Sequence, residues 1–161
     1  MPPFSHRAKV LWIVGLVAAD RITKIAAIDH LKDRPAQIYL GDFFRLEYAE
    51  NPGAFLSLGA TLSADTRFWI FAVAVGIFLI AAGVSLFREK LDRVSAFALA
   101  VIVGGGIGNL IDRATRANHS VVDFLNLGIG NFRTGIFNVA DMAIMLGVIL
   151  LGWRSFKRGE A

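Results

Sequence analysis

Three long runs with almost no charged residues constrain this chain more than any other feature. Phe68 to Phe87 is 20 residues without a charge, and Val94 to Ile111 is 18. Ile136 to Trp153 is another 18, interrupted only by Asp141. Because about 20 mostly apolar residues cross a hydrocarbon core of ~30 Å, each run is predicted to be a transmembrane helix.

The composition agrees with a membrane protein. Of 161 residues, 55% are hydrophobic and only 19% are charged, whereas a soluble domain carries about a quarter charged residues. The chain has no cysteine, which excludes disulfides, thiol nucleophiles and cysteine metal sites. Its net charge of +4 is explained by membrane anchoring, so no nucleic-acid partner is predicted.

A fourth and less uniform apolar segment precedes these runs. Val10 to Ala19 is apolar, and Asp20, Arg21 and Lys24 then interrupt it before Ile25 to Ile28. Such a segment is either a first transmembrane helix or a cleaved secretory signal peptide. A transmembrane helix is favoured, because the apolar character continues past the possible cleavage site and a fourth span returns both termini to one side.

The distribution of lysine and arginine predicts the topology. Segments 1–9, 88–93 and 154–161 hold eight of these residues in 23 positions, about three times the density of segments 29–67 and 112–133. The richer side of a membrane protein is normally cytoplasmic. Both termini are therefore predicted to be cytoplasmic, in a multi-pass protein.

The predicted fold is an all-α membrane bundle of four transmembrane helices with a small extracytoplasmic β element, in one domain of residues 1–161. Phe44 to Tyr48 alternates apolar and polar residues as a half-buried strand does, and Val121 to Leu125 is a second strand-like run. The helices are predicted at about 8–28, 68–87, 94–112 and 136–153, and the outer loops at 29–67 and 113–135.

Three of the predicted helices place polar side chains at a similar depth, in the outer half of the bilayer, at a rise of 1.5 Å per residue. A spacing of three or four residues puts both members of each pair on one helix face. A charge within a span costs at least ~2.5 kcal/mol, so these residues need an explanation. The pairs are Asp20 with Lys24, Asn109 with Asp112, and Asn138 with Asp141.

Structural and functional interpretations both remain open for most of this polar layer. Asp20 and Lys24 form a salt bridge that stabilises the bundle, or they face a substrate. Asn109 and Asn138 form hydrogen bonds between helices, or they bind a substrate.

Asp141 is harder to explain by structure alone, because no basic residue lies within one helical turn of it. Its predicted partner is Asp123, at the centre of the second strand-like run; the alternative for Asp123 is a solvated loop aspartate. Of two such carboxyl groups, an ionised one takes a proton from water and a protonated one donates to the carbonyl oxygen under attack. Asp112 and Arg113, at the membrane interface, are interpreted as a local ion pair.

Other reaction classes lack their motifs in this sequence. There is no His-Glu-x-x-His and no Gly-x-Ser-x-Gly. A site of two carboxyl groups that act as acid and base, near the outer membrane surface, is therefore predicted. The main alternative is a small proton-coupled transporter or channel subunit, in which the buried aspartates relay protons. A purely structural membrane subunit is a third interpretation, and it leaves Asp141 unexplained.

Five motifs, in order along nearly the whole chain, resemble those of the lipoprotein signal peptidase family, also called signal peptidase II. One departure follows Ala54, where Phe55-Leu56-Ser57 stands in place of the family's Ala-Phe-Ser. The motifs are Asp20-x-x-x-Lys24, Asn51-Pro52-Gly53-Ala54, the run from Gly105 to Arg113, Val122-Asp123-Phe124, and the run from Phe137 to Asp141.

This resemblance implies an aspartyl peptidase that removes signal peptides from prolipoproteins carrying a diacylglyceryl group on the cysteine after the cut. It would act at the outer face of the cytoplasmic (inner) membrane, among membrane lipids, with Asp123 and Asp141 as the catalytic pair. No metal or cofactor is expected, and globomycin-type inhibitors act on the family. The supporting, substrate-binding residues would be Asp20, Lys24, Asn51, Gly53, Gly105, Asn109, Asp112, Arg113, Asn138 and Ala140.

Overall fold

A computed structural model describes residues 4–52, 62–88 and 90–159. Four long helices pack together, and a small antiparallel sheet contacts α1 and α3. The helices are α1 (His6–Leu31), α2 (Ala64–Arg88), α3 (Arg93–Thr115) and α4 (Val139–Gly159). The strands are β1 (Gln37–Tyr39), β2 (Phe44–Asn51), β3 (Val121–Ile129) and β4 (Phe132–Arg133).

Within the described residues, three stretches are long and apolar enough to cross a membrane: Phe68–Arg88, Arg93–Thr115 and Val139–Lys157. They correspond to the three uncharged runs of the sequence. The helix α1 is long enough, with 26 residues, but its charged side chains around Asp20 lower its hydropathy. The predicted mostly helical fold with a small sheet is therefore confirmed, with three of the four predicted spans as candidate membrane helices in the described residues.

The fourth helix begins later than its predicted start at residue 136. Asn138 precedes its first turn, and Asn138 Oδ1 accepts a hydrogen bond from the Asp141 backbone N–H at 2.9 Å. In return, the Asn138 backbone N–H donates to Asp141 Oδ2 at 3.2 Å. Such a reciprocal pair, between the N-cap and the third helical residue, is a capping box that fixes where a helix starts. The helix also continues to Gly159, beyond the predicted end at 153.

The four strands are antiparallel and follow one another in the order β1-β2-β3-β4. Ala49 pairs with Asp123 and Asn51 with Val121, after an irregularity in register between Leu46 and Ala49. The predicted strand-like runs are both present, but β2 extends to residue 51 and β3 to residue 129, and β4 was not predicted. With only two residues, β4 is too short for its sequence to show a strand pattern.

Glycines let α3 approach each of the other three helices. A Cβ added to Gly104 or Gly108 would meet α1, at 3.1 Å from a leucine side chain and 2.6 Å from the Asp20 carboxylate, respectively. A Cβ added to Gly105 would meet the α4 backbone, and one added to Gly106 would meet α2. Gly104 and Gly108, four residues apart, thus allow close packing between α1 and α3.

Replacing Gly105 with alanine is expected to destabilise the protein by about 1 to 3 kcal/mol, because the new Cβ would overpack the helix interface. That Cβ would lie 2.5 Å from the Ala140 carbonyl oxygen, which is backbone and moves only with α4. Thermal unfolding in detergent measures the effect. Gly152→Ala is the matched control in α4, where a Cβ meets nothing within 4 Å. Equal melting temperatures for the two variants would contradict this packing.

Candidate active site

Polar residues from α1, α3, β2, β3 and α4 form one hydrogen-bonded network. The chain positions involved lie far apart in sequence, and the packing of α3 against α1 and α4 brings them together. Asn138 is at the centre of the network and is fully buried. Its Nδ2 donates to Asp123 Oδ1 at 2.6 Å, and its backbone N–H donates to Asp141 Oδ2 at 3.2 Å. One residue therefore holds both candidate catalytic carboxylates.

Asp141 lies in the first turn of α4 and is partly exposed. The N–H groups at a helix start have no partner within the helix, and the helix dipole favours a negative charge there. Asp141 Oδ1 also accepts a hydrogen bond from Asn109 Nδ2 of α3 at 2.8 Å. Hence α3 and α4 together fix the orientation of this carboxylate.

Asp123 lies within the buried part of β3 and is only 2% exposed. Its Oδ2 accepts a hydrogen bond from Asn51 Nδ2, at the end of β2, at 3.2 Å. Burial and the neighbouring charge of Asp141 raise the pKa of Asp123 to about 6, against the opposing effect of the hydrogen bonds from Asn51 and Asn138. Asp123 is therefore able to hold a proton at a pH where an ordinary aspartate is ionised.

A buried ion network lies behind this pair of carboxylates. Lys24 Nζ contacts Asp20 Oδ2 at 2.8 Å and Asp112 Oδ2 at 3.1 Å, and it donates to Asn109 Oδ1 at 2.8 Å. Arg21 forms an ion pair with the other oxygen of Asp112. Two carboxylates are thus balanced by two cations, which a buried charge cluster requires if it is not to destabilise the fold.

The ion network also holds the backbone on both sides of the carboxylate pair. Asp20 Oδ1 accepts a hydrogen bond from the Ala140 N–H at 3.0 Å, next to Asp141. Asp112 Oδ2 accepts one from the Val122 N–H at 3.1 Å, next to Asp123. Asp20 and Lys24 therefore form the buried salt bridge of the structural interpretation, and both side chains are fully buried.

The remaining residues that were predicted to belong to the site have the following positions. Gly105 faces Ala140 across the α3–α4 contact. Arg113 Nη1 donates to the His119 carbonyl at 3.2 Å. Gly53 and the segment 55–57 lie outside the described residues. Arg21 was not among the predicted site residues, although its place beside Asp20 in an apolar segment was a signal that could have identified it.

No three histidine, cysteine, aspartate or glutamate side chains in residues 4–52, 62–88 and 90–159 are arranged to hold a metal ion. The chemistry that the arrangement supports is acid–base chemistry by two adjacent carboxyl groups, with asparagine amides beside them as hydrogen-bond donors.

The raised pKa of Asp123 predicts a pH-dependent effect of Asp123→Asn on stability. Between pH 4 and 6 the folded protein binds more protons than the unfolded chain, so stability falls as the pH rises through this window. Above it, ionised Asp123 costs roughly 3 kcal/mol, which the amide avoids. Asp123→Asn is therefore expected to melt above the wild type at pH 8 but near it at pH 4.

Asp42→Asn is the control for this measurement, because a hydrogen bond from Arg45 lowers the pKa of Asp42. Its effect has the opposite sign: any stability that ionised Asp42 contributes is present at pH 8 and is lost as the pH falls through the lowered pKa. A difference between Asp123→Asn and the wild type that is the same at both pH values would contradict the account of Asp123.

A model of the family described as signal peptidase (SPase) II matches residues 12–157. The lipoprotein signal peptidase of Sphingopyxis alaskensis is 41% identical over 143 residues, which cover 88% of this chain and 80% of the relative. That of Francisella tularensis subsp. novicida is 36% identical over 140 residues, covering 84% and 83%. That of Caldanaerobacter subterraneus is 35% identical over 150 residues, covering 93% and 97%.

Solved structures of membrane enzymes share the fold. One, described as a bacterial membrane enzyme structure obtained by the in meso method at 2.3 Å resolution, superposes with a TM-score of 0.81 and 26% identity. The superposition covers 94% of this chain and 89% of the solved chain. A second, described in the same way at 1.9 Å resolution, gives a TM-score of 0.78 with 26% identity and covers 94% of both chains.

Proposed function

The chain belongs to the signal peptidase II family, membrane aspartic peptidases that remove signal peptides from prolipoproteins, and we propose that Asp123 and Asp141 perform this cleavage. The observation that carries the proposal is the position of Asn138. Because it donates to both carboxylates at once, the two acids are held side by side in an asparagine-lined site, with Asp123 buried and Asp141 partly exposed. Members of this family are peptidases, and this pair of carboxylates fits the catalytic site of an aspartic peptidase.

The proposed reaction uses one proton shared between two acids. The ionised carboxylate takes a proton from a water molecule, whose oxygen attacks the carbonyl carbon of the scissile bond. The protonated carboxyl group donates to the carbonyl oxygen, which gives a tetrahedral diol. The carboxyl group that gained the water's proton then donates it to the leaving nitrogen, and the other carboxylate takes a proton from a diol hydroxyl. The carbon–nitrogen bond breaks, a carboxylic acid and an amine form, and the dyad returns to its starting state. The titrations belong to the pair, so neither role is assigned to one residue.

The proposed substrate is a prolipoprotein signal peptide whose cysteine carries a diacylglyceryl group. The apolar surface next to the site supports the proposal that the peptide carries a lipid. Met142 and Met145 follow Asp141 on α4 and are 54% and 62% exposed, so an apolar face begins one residue from the candidate dyad. Acyl chains in the bilayer would contact such a face while the peptide bond meets the carboxylates. Globomycin-type inhibitors would compete for the same place.

The proposed topology has four spans, with both termini in the cytoplasm and the site at the outer face of the inner membrane. The fourth span would be α1, whose 26 residues extend about 39 Å at 1.5 Å per residue. The charges of Asp20, Arg21 and Lys24 are balanced by ion pairs with one another and with Asp112. The lysine and arginine distribution supports the orientation.

Cysteine labelling tests this topology, because the chain has no native cysteine. Single cysteines at Asp33 and Ala117 are expected to react with an impermeant reagent added outside intact cells. A cysteine at Lys90 is expected to react only after the membrane is opened. Labelling of position 90 from outside would reverse the orientation and put the site on the cytoplasmic face.

The proton-coupled transporter is not favoured, since the relatives described above are all peptidases. A direct test is to incubate the purified protein with a diacylglyceryl-modified precursor peptide and with its unmodified counterpart. Mass spectrometry is expected to find cleavage immediately before the cysteine in the lipidated peptide only. Cleavage of both peptides at equal rates would remove the proposed lipid specificity, and cleavage of neither would overturn the proposed function.

A further inference from the structure

A second polar cluster centres on Glu50 of β2, and no residue of it was predicted from the sequence to belong to the site. Glu50 Oε1 accepts hydrogen bonds from Tyr48 Oη at 2.6 Å and from Arg116 Nη2 at 2.5 Å. Glu50 Oε2 accepts from Asn118 Nδ2 at 2.5 Å and from Ser120 Oγ at 3.1 Å. Four donors on one carboxylate hold it in a single orientation.

The Glu50 cluster joins three elements that carry the candidate active site. Arg116 follows α3 as its C-cap, and its backbone N–H donates to the Asp112 carbonyl. Its side-chain Nε also donates to Ser120 Oγ at 3.1 Å. Ser120 is fully buried and directly precedes β3, which carries Asp123. The cluster therefore ties the end of β2 to the end of α3 and the start of β3.

The strand register places Glu50 and its neighbour Asn51 on opposite faces of the sheet, with Asn51 on the face of the candidate active site. Asn51 pairs with Val121, and Asp123 pairs with Ala49, two positions away. Asn51 and Asp123 are thus diagonal neighbours on one face of the sheet. Because side chains alternate along a strand, Glu50 points to the opposite face.

Asn51 is the last residue of β2 and is exposed. Strand ends are held less firmly than strand centres, so a 3.2 Å hydrogen bond to Asp123 depends on what fixes the backbone there. Hydrogen bonds from Tyr48 and Asn118 lower the pKa of Glu50 to about 2. Glu50 is therefore an anion facing Arg116 at neutral pH.

We propose that Glu50 and Arg116 are positioning residues that hold Asn51 against Asp123 from the opposite face of the sheet. Neither side chain touches the candidate dyad, so both act on it through the β2 backbone. The inference rests on the proposed role of Asp123 in cleavage.

The test is a double-mutant cycle on kcat for the lipidated precursor peptide. Glu50→Gln is expected to lower kcat about tenfold in the wild-type background, with KM within about twofold. In an Asn51→Ala background the same change is expected to lower kcat by less than about twofold, because the contact it protects is already absent. Glu47→Gln, at the other glutamate of β2, is the matched control and is expected to leave kcat unchanged.

Arg116 gives an independent variant if Glu50→Gln lowers the folded fraction. Arg116→Gln is expected to repeat the loss of kcat and its dependence on Asn51, and Arg116→Lys, which keeps the charge, is expected to restore part of the rate. Equal losses in both backgrounds, or a folded Glu50→Gln enzyme as active as Glu47→Gln, would overturn the inference. Failure of the proposed function is distinguishable, since the wild type would then not cleave the peptide.

Discussion

Asp123→Asn and Asp141→Asn are each expected to reduce the cleavage rate by at least about a thousandfold, to the limit of detection. An amide neither accepts the proton of the attacking water nor supplies one to the carbonyl oxygen, so each change removes one half of the acid–base pair. Shape is almost unchanged, so both variants are expected to fold and to bind the precursor. Initial rates on the lipidated peptide, with thermal unfolding as the check on folding, measure the effect.

The double variant separates a functional pair from two independent residues. If the carboxylates act together, Asp123→Asn/Asp141→Asn is expected to be little slower than either single variant. Independent residues would give losses that multiply. Asp112→Asn is expected to reduce the rate less than either single change, because Asp112 contacts the backbone beside Asp123 rather than the candidate dyad itself.

The second large effect is expected from Lys24→Met, on stability. Removing the ammonium group leaves the fully buried Asp20 carboxylate without its cation and takes one of two cations from Asp112. Loss of one partner of a buried ion pair costs about 3 to 5 kcal/mol, which is a large part of the stability of a small protein. Activity is expected to fall as well, because Asn109, which donates to Asp141, loses the shorter of the two hydrogen bonds that its Oδ1 accepts.

A compensating variant keeps this prediction testable if Lys24→Met alone does not fold. Asp20→Asn/Lys24→Met is expected to recover much of the lost stability, since Asp112 still pairs with Arg21 and no unpaired buried charge remains. Lys90→Met, at an exposed lysine, is the control for loss of a positive charge. Equal melting temperatures for Lys24→Met and Lys90→Met would show that the buried network does not stabilise the fold as expected.

Much of the fold was predictable because the bilayer imposes simple rules on sequence. The uncharged runs give three helices directly, and the alternation in residues 44–48 gives part of β2. Depth and spacing in the sequence also place Asp20, Lys24 and Asn109 in one layer. Hydrophobic periodicity and the presence of charged residues in an apolar segment depend on that segment alone. Both are therefore visible in a single sequence.

Features that depend on contacts between segments were not predictable in this way. The start of α4 is set by a reciprocal capping pair, which moves it from residue 136 to Val139. The ion pair of Arg21 with Asp112 and the attachment of Glu50 to Arg116 join residues 91 and 66 positions apart. Periodicity contains no information about such partners. The same is true of Asn138, whose role between two carboxylates appears only once β3 and α4 are side by side.

The most direct test of the central claim compares wild type, Asp141→Asn and Asp42→Asn on one lipidated precursor under the same conditions. Asp42 is an aspartate of the β1–β2 turn, ion-paired with Arg45 and outside the network that holds the candidate dyad. Wild type and Asp42→Asn are predicted to release the signal peptide at similar rates, cut immediately before the modified cysteine, while folded Asp141→Asn releases none. Near-normal release by folded Asp141→Asn would contradict the assignment of Asp123 and Asp141 as the catalytic pair.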